Sequence, residues 1–91
     1  MDVFAGDIVH SQAGRDKDRP FVVLAVLDAQ YAMLADGRVR RVDKPKKKKI
    51  KHLLKSGRVA ELIQEKLREG TKVTNLDLKR VLAEFLDDHD A

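Results

Sequence analysis

Phe21-Val22-Val23-Leu24-Ala25-Val26-Leu27 is seven apolar residues in a row, rich in β-branched side chains and preceded by Pro20. A run of this length and composition reads as a strand with both faces largely covered. Upstream, Gly6-Asp7-Ile8-Val9 opens another short strand, and Gly14-Arg15-Asp16-Lys17-Asp18-Arg19-Pro20 separates the two as a polar loop punctuated by Gly and Pro. Downstream, residues 31–35 and 38–42 flank Asp36-Gly37, a dipeptide that supplies the positive φ angles of a two-residue hairpin turn. Several short strands in so little chain predict a small β-barrel over residues 1–43.

After Asp43 the pattern changes. Lys44-Pro45-Lys46-Lys47-Lys48-Lys49-Ile50-Lys51-His52-Leu53 is too sparse in apolar residues to pack before Ile50 and Leu53, which predicts an exposed basic arm over residues 44–55 that docks at its end. From Ser56 the spacing becomes helical: Val59, Leu62, Ile63 and Leu67 share a face, and Gly70 stands where a left-handed C-terminal cap belongs. Thr74 is a good N-cap with Asp77 three residues on, and Leu78, Val81, Leu82, Phe85 and Leu86 form the stripe of a second helix. Helices this short are not stable alone in water, so a helical hairpin over residues 56–91 must pack on itself and on the barrel. The expected class is α+β, with a barrel and arm over residues 1–55 and a two-helix extension over 56–91.

Ninety-one residues is one domain's worth of chain, with room for one modest core. The absence of cysteine excludes a disulfide scaffold, a zinc ribbon and a thiol nucleophile together. The longest apolar run falls far short of the roughly 20 residues that span a bilayer. The first residues are acidic where a signal peptide is basic, so a soluble cytoplasmic protein is expected. The 19 Lys+Arg and 15 Asp+Glu leave a net charge of +4, distributed unevenly. Residues 1–37 carry −3, residues 38–55 carry +9, residues 56–81 carry +2 and residues 82–91 carry −4. The basicity therefore belongs to one short segment, where a polyanion would bind.

Little in the chain suits catalysis. Ser11, Ser56, Thr71 and Thr74 are the only hydroxyl nucleophiles of their type; Ser56 and Thr74 suit helix starts, and His10 and Ser11, being adjacent in a strand, point to opposite faces. Asp16 and Asp18 are interleaved with Arg15, Lys17 and Arg19 and are read as their partners rather than as metal ligands. Asp87, Asp88 and Asp90 solubilise the tail or shield the lysines, and His89 falls in the same tail. Neither an enzyme, a cofactor, a metal nor a small-molecule substrate is expected. The lysine run remains: Lys44, Lys46, Lys47, Lys48, Lys49 and Lys51, with His52 and Lys55 beside them, repel one another strongly enough to favour a polyanionic partner. Lysine is a point charge suited to phosphate oxygens, and the run holds no aromatic residue for a base to stack on. Arg38, Arg40 and Arg41, with Arg15, Lys17 and Arg19 in the first loop, add cations able to grip phosphates or exposed bases. Pro45-Lys46-Lys47-Lys48-Lys49 also fits a nuclear import signal, while the missing aromatic or acyl anchor argues against a lipid surface.

These residues resemble the KOW family of ribosomal and transcription-associated proteins. Gly6-Asp7-Ile8-Val9-His10-Ser11-Gln12-Ala13-Gly14-Arg15-Asp16-Lys17-Asp18-Arg19 is similar to the family's opening, a Gly-Asp-x-Val strand followed by a loop with a required glycine, here Gly14. The broader pattern often has Gly where this chain has Asp18, and again near Phe21. Ala35-Asp36-Gly37-Arg38-Val39-Arg40-Arg41-Val42, running into the lysines, is similar to the small bacterial KOW-domain RNA-binding proteins and, through them, to large-subunit ribosomal protein fourteen of archaea and eukaryotes. The resemblance covers residues 6–54 well and implies an SH3-like barrel whose loops and basic extension contact ribosomal RNA. The expected protein is thus RNA-binding and ribosome-associated, with a protein-interaction module or a sequence-tolerant DNA-binding protein as the alternatives.

Overall fold

A computed structural model describes the backbone of residues 2–90 and the side chains of residues 2–88, so the side chains of His89 and Asp90 lie outside the described residues. Five strands, β1 (Asp7–Ser11), β2 (Pro20–Val26), β3 (Tyr31–Ala35), β4 (Lys46–Lys49) and β5 (Leu53–Val59), precede two helices, α1 (Glu61–Glu69) and α2 (Asn75–Asp90). The strands form one antiparallel sheet in the order β4-β3-β2-β1-β5. A single 3-10 turn over Ile50–His52 joins β4 to β5, the two edges of the sheet. Ile50 N–H donates to the Gln30 carbonyl at 2.7 Å and Gln12 N–H to the His52 carbonyl at 2.8 Å, so this turn is tied to both β3 and β1. The sheet therefore coils strongly, but no ladder joins β4 to β5 among the described residues and the sheet stays open.

Side-chain alternation along the central strands builds two cores. Ile8, Val22 and Ala35 lie in register across β1, β2 and β3 and meet Ala60, Ile63, Val73, Leu78, Leu82 and Phe85 of the helical segment. Their immediate neighbours Val9, Phe21, Val23 and Leu34 face the other way and gather with Val3, Ala32, Ile50 and Leu53 inside the coil. This is why residues 21–23 are buried although they alternate in direction, whereas Ala25, Val26 and Leu27 run on into solvent. His10 and Ser11 diverge as expected: the His10 ring lies 5.7 Å from that of Phe85, and Ser11 Oγ donates to the Ala13 carbonyl.

Three expectations are corrected. Residues 38–42 are not a strand, and Asp36-Gly37 does not make a two-residue hairpin. Asp36 Oδ1 accepts the N–H groups of Arg38 and Arg40 at 2.9 Å each, and Val42 N–H donates to Asn75 Oδ1, so a looped backbone has its donors satisfied without a ladder. Gly37 has φ +81°, and a Cβ there would run into the Asn75 carbonyl, so this loop closes directly on the first turn of α2. The partner of β3 is instead β4, with Tyr31 opposite Lys49, Ala32 opposite Lys48, Met33 opposite Lys47 and Leu34 opposite Lys46. The lysine run is thus an edge strand and not a free arm: backbone pairing does not depend on side-chain type, and lysines on an edge discourage further strands from adding.

The third correction concerns Ser56, where a helix was expected to begin. Residues 53–59 extend along β1, with an irregular register around Gly57, and Ser56 Oγ donates to the Ile8 carbonyl at 2.7 Å. The expected boundary at 55/56 therefore falls inside β5, and helix starts only at Glu61. Its end is as predicted, with Gly70 in the left-handed conformation. The capping of α2 is also as predicted: Asp77 N–H donates to Thr74 Oγ1 at 3.1 Å while Thr74 N–H donates to Asp77 Oδ2 at 3.0 Å.

Candidate nucleic-acid interface

The β3–β4 register divides the lysines between two surfaces. Lys47 and Lys49, opposite Met33 and Tyr31, point outward and are exposed, and the Lys47 ammonium sits 4.4 Å from the centroid of the Tyr31 ring. Tyr31 is the only tyrosine in the chain, and sequence spacing gave no sign that it would join the lysines. Only the register reveals this aromatic within the basic strip. Lys46 and Lys48 point the other way, toward the coil interior, and both are half-buried.

Lys48 ends in a polar cluster. Its ammonium donates to the Ala13 carbonyl at 3.1 Å and lies 3.9 Å from Asp16 Oδ2, whose carboxylate is buried and is also held by Arg40 Nη2 at 3.0 Å. Asp16 thus pairs with cations distant in sequence and not with Arg15, Lys17 or Arg19, the neighbours expected to hold it. One carboxylate joins three segments: the 3-10 turn Gly14–Asp16, residues 36–41, and β4. With two cations on one anion, the cluster keeps a net positive charge. Gly14 opens the turn at φ +76°, and a Cβ added there would lie 3.5 Å from the Lys48 ammonium. That is ordinary contact, so the positive φ of the turn, and not a lack of space, is what favours glycine here.

The remaining candidate residues fall into two groups. Lys55 lies 3.7 Å from Asp7, a buried carboxylate that also accepts the Phe4 N–H, and Arg41 lies 3.8 Å from Asp43 in full solvent. His52 is half-buried in the 3-10 turn that joins the sheet edges. Arg15, Lys17, Arg19, Arg38, Lys44, Lys47, Lys49 and Lys51 are exposed, and Lys46 is half-buried. None of these nine has a carboxylate within 4.0 Å among the described residues. Asp16 and Arg40 tie loop 14–19 to loop 36–41, and Arg19 and Arg38 line one groove between them and α2.

Of the C-terminal acids, Asp87 and Asp88 have described side chains, and neither lies within 4.0 Å of a lysine of the run. Asp87 and Asp88 belong to α2 rather than to a tail beyond it, and Asp88 pairs with Arg58 at 2.9 Å. At the other end of α2 the Lys66 ammonium, 2.7 Å from Asp77 Oδ2, acts first and the Thr74 N–H second to hold the Asp77 carboxyl below its ordinary value of 3.8. Among the described residues no cluster of three or more His, Cys, Asp or Glu has metal-site geometry, and no helix is long and apolar enough to cross a membrane. No protein-family model and no curated protein matches the chain.

Proposed function

We propose that this protein is a non-enzymatic RNA-binding module of the KOW type, acting in the cytoplasm on structured ribosomal RNA. The observation that carries the proposal is a set of exposed cations with no carboxylate within 4.0 Å among the described residues: Lys47 and Lys49 on the β4 edge, Lys51 in the turn after it, and Arg15, Lys17, Arg19 and Arg38 on two loops joined through Asp16. Such an array neutralises phosphates and fixes orientation on the nucleic acid, while the arginines supply contacts to exposed bases. Lys48 and Arg40 serve the frame rather than the ligand.

Two features support the KOW reading. The strand order, together with the short turn joining the edge strands, is compatible with an SH3-like barrel left open between β4 and β5. Asp18, where the family pattern often has Gly, is the one described non-glycine residue with positive φ, at 67°. The backbone at this position has the shape for which glycine is ordinarily chosen.

A protein-interaction role is the second reading, favoured by the open β5 edge and by the exposed apolar side chains Leu54, Val59 and Leu62 on and beyond it. Salt dependence separates the two. If about six phosphates are neutralised, the logarithm of affinity for a structured ribosomal RNA fragment falls against the logarithm of salt with a slope of roughly −4 to −5. A slope near zero overturns the RNA reading and favours a protein partner, while equal affinity for duplex DNA overturns selectivity for RNA.

A further inference from the structure

Arg19, Arg38 and Lys79 border a groove of about 310 Å³ between the loops and α2, and its walls include Pro20, Leu82 and Leu86. The two arginines come from the candidate interface. Lys79 comes from the helical hairpin, four residues beyond Asn75, whose side chain holds the Val42 N–H at 2.8 Å. The groove is therefore built on a tied frame: Asp36 Oδ1 holds the Arg38 backbone, and Gly37 lies against the Asn75 carbonyl.

None of the three cations has a carboxylate within 4.0 Å among the described residues, so each is available to an anion. The one acidic side chain in the wall, Asp36, is buried with an oxygen already accepting two backbone N–H groups. Leu86 remains 43% exposed although it belongs to the apolar stripe of α2. An occupant that fits these surroundings has a flat or apolar part for Pro20, Leu82 and Leu86 and negative charge for the cations at the rim. A nucleotide has both, and guanidinium planes are a recurrent stacking surface for unpaired bases. The volume lies at the lower end of the range for small-molecule sites.

We propose that this groove receives one unpaired nucleotide of the bound RNA, its base against the apolar wall and its flanking phosphates on Arg19, Arg38 and Lys79. The site rests on the RNA-binding reading and makes α2 part of the interface. It also gives the protein a means of choosing bulged over fully paired RNA, which the outward lysines, as point charges, do not provide.

The test uses the full chain, two labelled hairpin RNAs that differ by a single unpaired nucleotide, and a free nucleoside monophosphate. The bulged hairpin is expected to bind about tenfold more tightly, the scale of one stacked base. Lys79→Gln and Leu86→Gln, each checked for native fold by circular dichroism, are expected to remove that preference, read as the ratio of the two hairpin affinities within each variant. Equal binding of the two hairpins, with wild-type behaviour in both variants, overturns the groove site and leaves the RNA-binding reading standing. Failure of both hairpins to bind overturns both. Amide shifts at Lys79 and Leu86 induced by the monophosphate, without a bulge preference, assign the groove to a free nucleotide and overturn the RNA site. Shifts induced there by an amphipathic glutamate-leucine peptide but not by bulged RNA assign it to a protein partner and equally overturn the proposal.

Discussion

Strand β4 and the start of α2 are both short polar segments, and they obtain their structure in opposite ways. At residues 74–77 the reciprocal cap closes within three residues, with Lys66 added to it from α1 and Asn75 reaching the Val42 N–H outside it. In β4 each partner is distant: Lys48 finds the Ala13 carbonyl 35 residues away, and Lys47 finds the ring of Tyr31 across a strand ladder. A locally satisfied segment keeps its meaning wherever it is placed. Four identical lysines acquire different roles only when a neighbouring strand fixes which of them face inward.

The largest test of that contrast is Asp16→Ala. It leaves Arg40 and Lys48 without their shared anion, and urea denaturation is expected to show a loss of about 3 kcal/mol. Net charge becomes more positive, so simple attraction to a polyanion would strengthen RNA binding. Release of the two loops and β4 from one another is instead expected to weaken it, and tighter binding by this variant would break the distinction between frame and ligand contacts.

Next is the comparison within β4. Lys48→Ala is expected to cost about 1 to 2 kcal/mol in the same measurement, whereas Lys47→Ala, losing one exposed cation–ring contact, costs about 0.5 kcal/mol. RNA titrations should rank them in reverse. The double change Lys47→Ala and Lys49→Ala is expected to reduce the magnitude of the salt slope by about 2, one per phosphate contact, with Lys48→Ala leaving it nearly unchanged. A slope change for Lys48→Ala equal to that for Lys47→Ala would mean that the register does not sort these lysines by role.

The local segment gives smaller effects. Thr74→Ala is expected to remove about 1 kcal/mol, read as a lower urea midpoint with unchanged cooperativity. The pH dependence is smallest. Because Asp77 is held below its ordinary value in the folded chain, its contribution is fully present above that value and is lost as pH falls through the folded one. Stability of the wild type should therefore fall more steeply than that of Asp77→Asn in the acid range below about pH 4. Parallel curves would show that the cap works without its charge.

How much was legible follows the same division. The apolar run at residues 21–27 and the Gly-Asp start before Ile8 announced β2 and β1, since a buried strand must be apolar whatever it pairs with. The stripe Leu78, Leu82 and Phe85, begun by Thr74 and Asp77, announced α2. Residues 38–42 misled because a strand-like pattern beside Asp36-Gly37 carries no notice that Asn75 and the Asp36 carboxylate will take its backbone donors. Ser56 misled because a good helix-starting residue also serves in a strand when a carbonyl, here that of Ile8, lies within reach of its hydroxyl. In the candidate site, the exposed loop cations were legible from charge alone. The Asp16 cluster, the place of Tyr31 beside Lys47, and Lys79 in the groove were not, because each depends on elements far apart in the chain.

Taken alone, the sequence determined the existence and type of the elements whose signals repeat locally, the concentration of net positive charge in residues 38–55, and the absence of cysteine. Tertiary structure decided that the lysine run is the edge of a sheet, that the sheet coils without closing, and which cations are spent on Asp16 and which remain free. The physical reason is that helix caps and apolar periodicity act between residues three or four apart. Strand pairing is made by backbone groups common to every residue, so its partners are chosen by the packing of the whole chain.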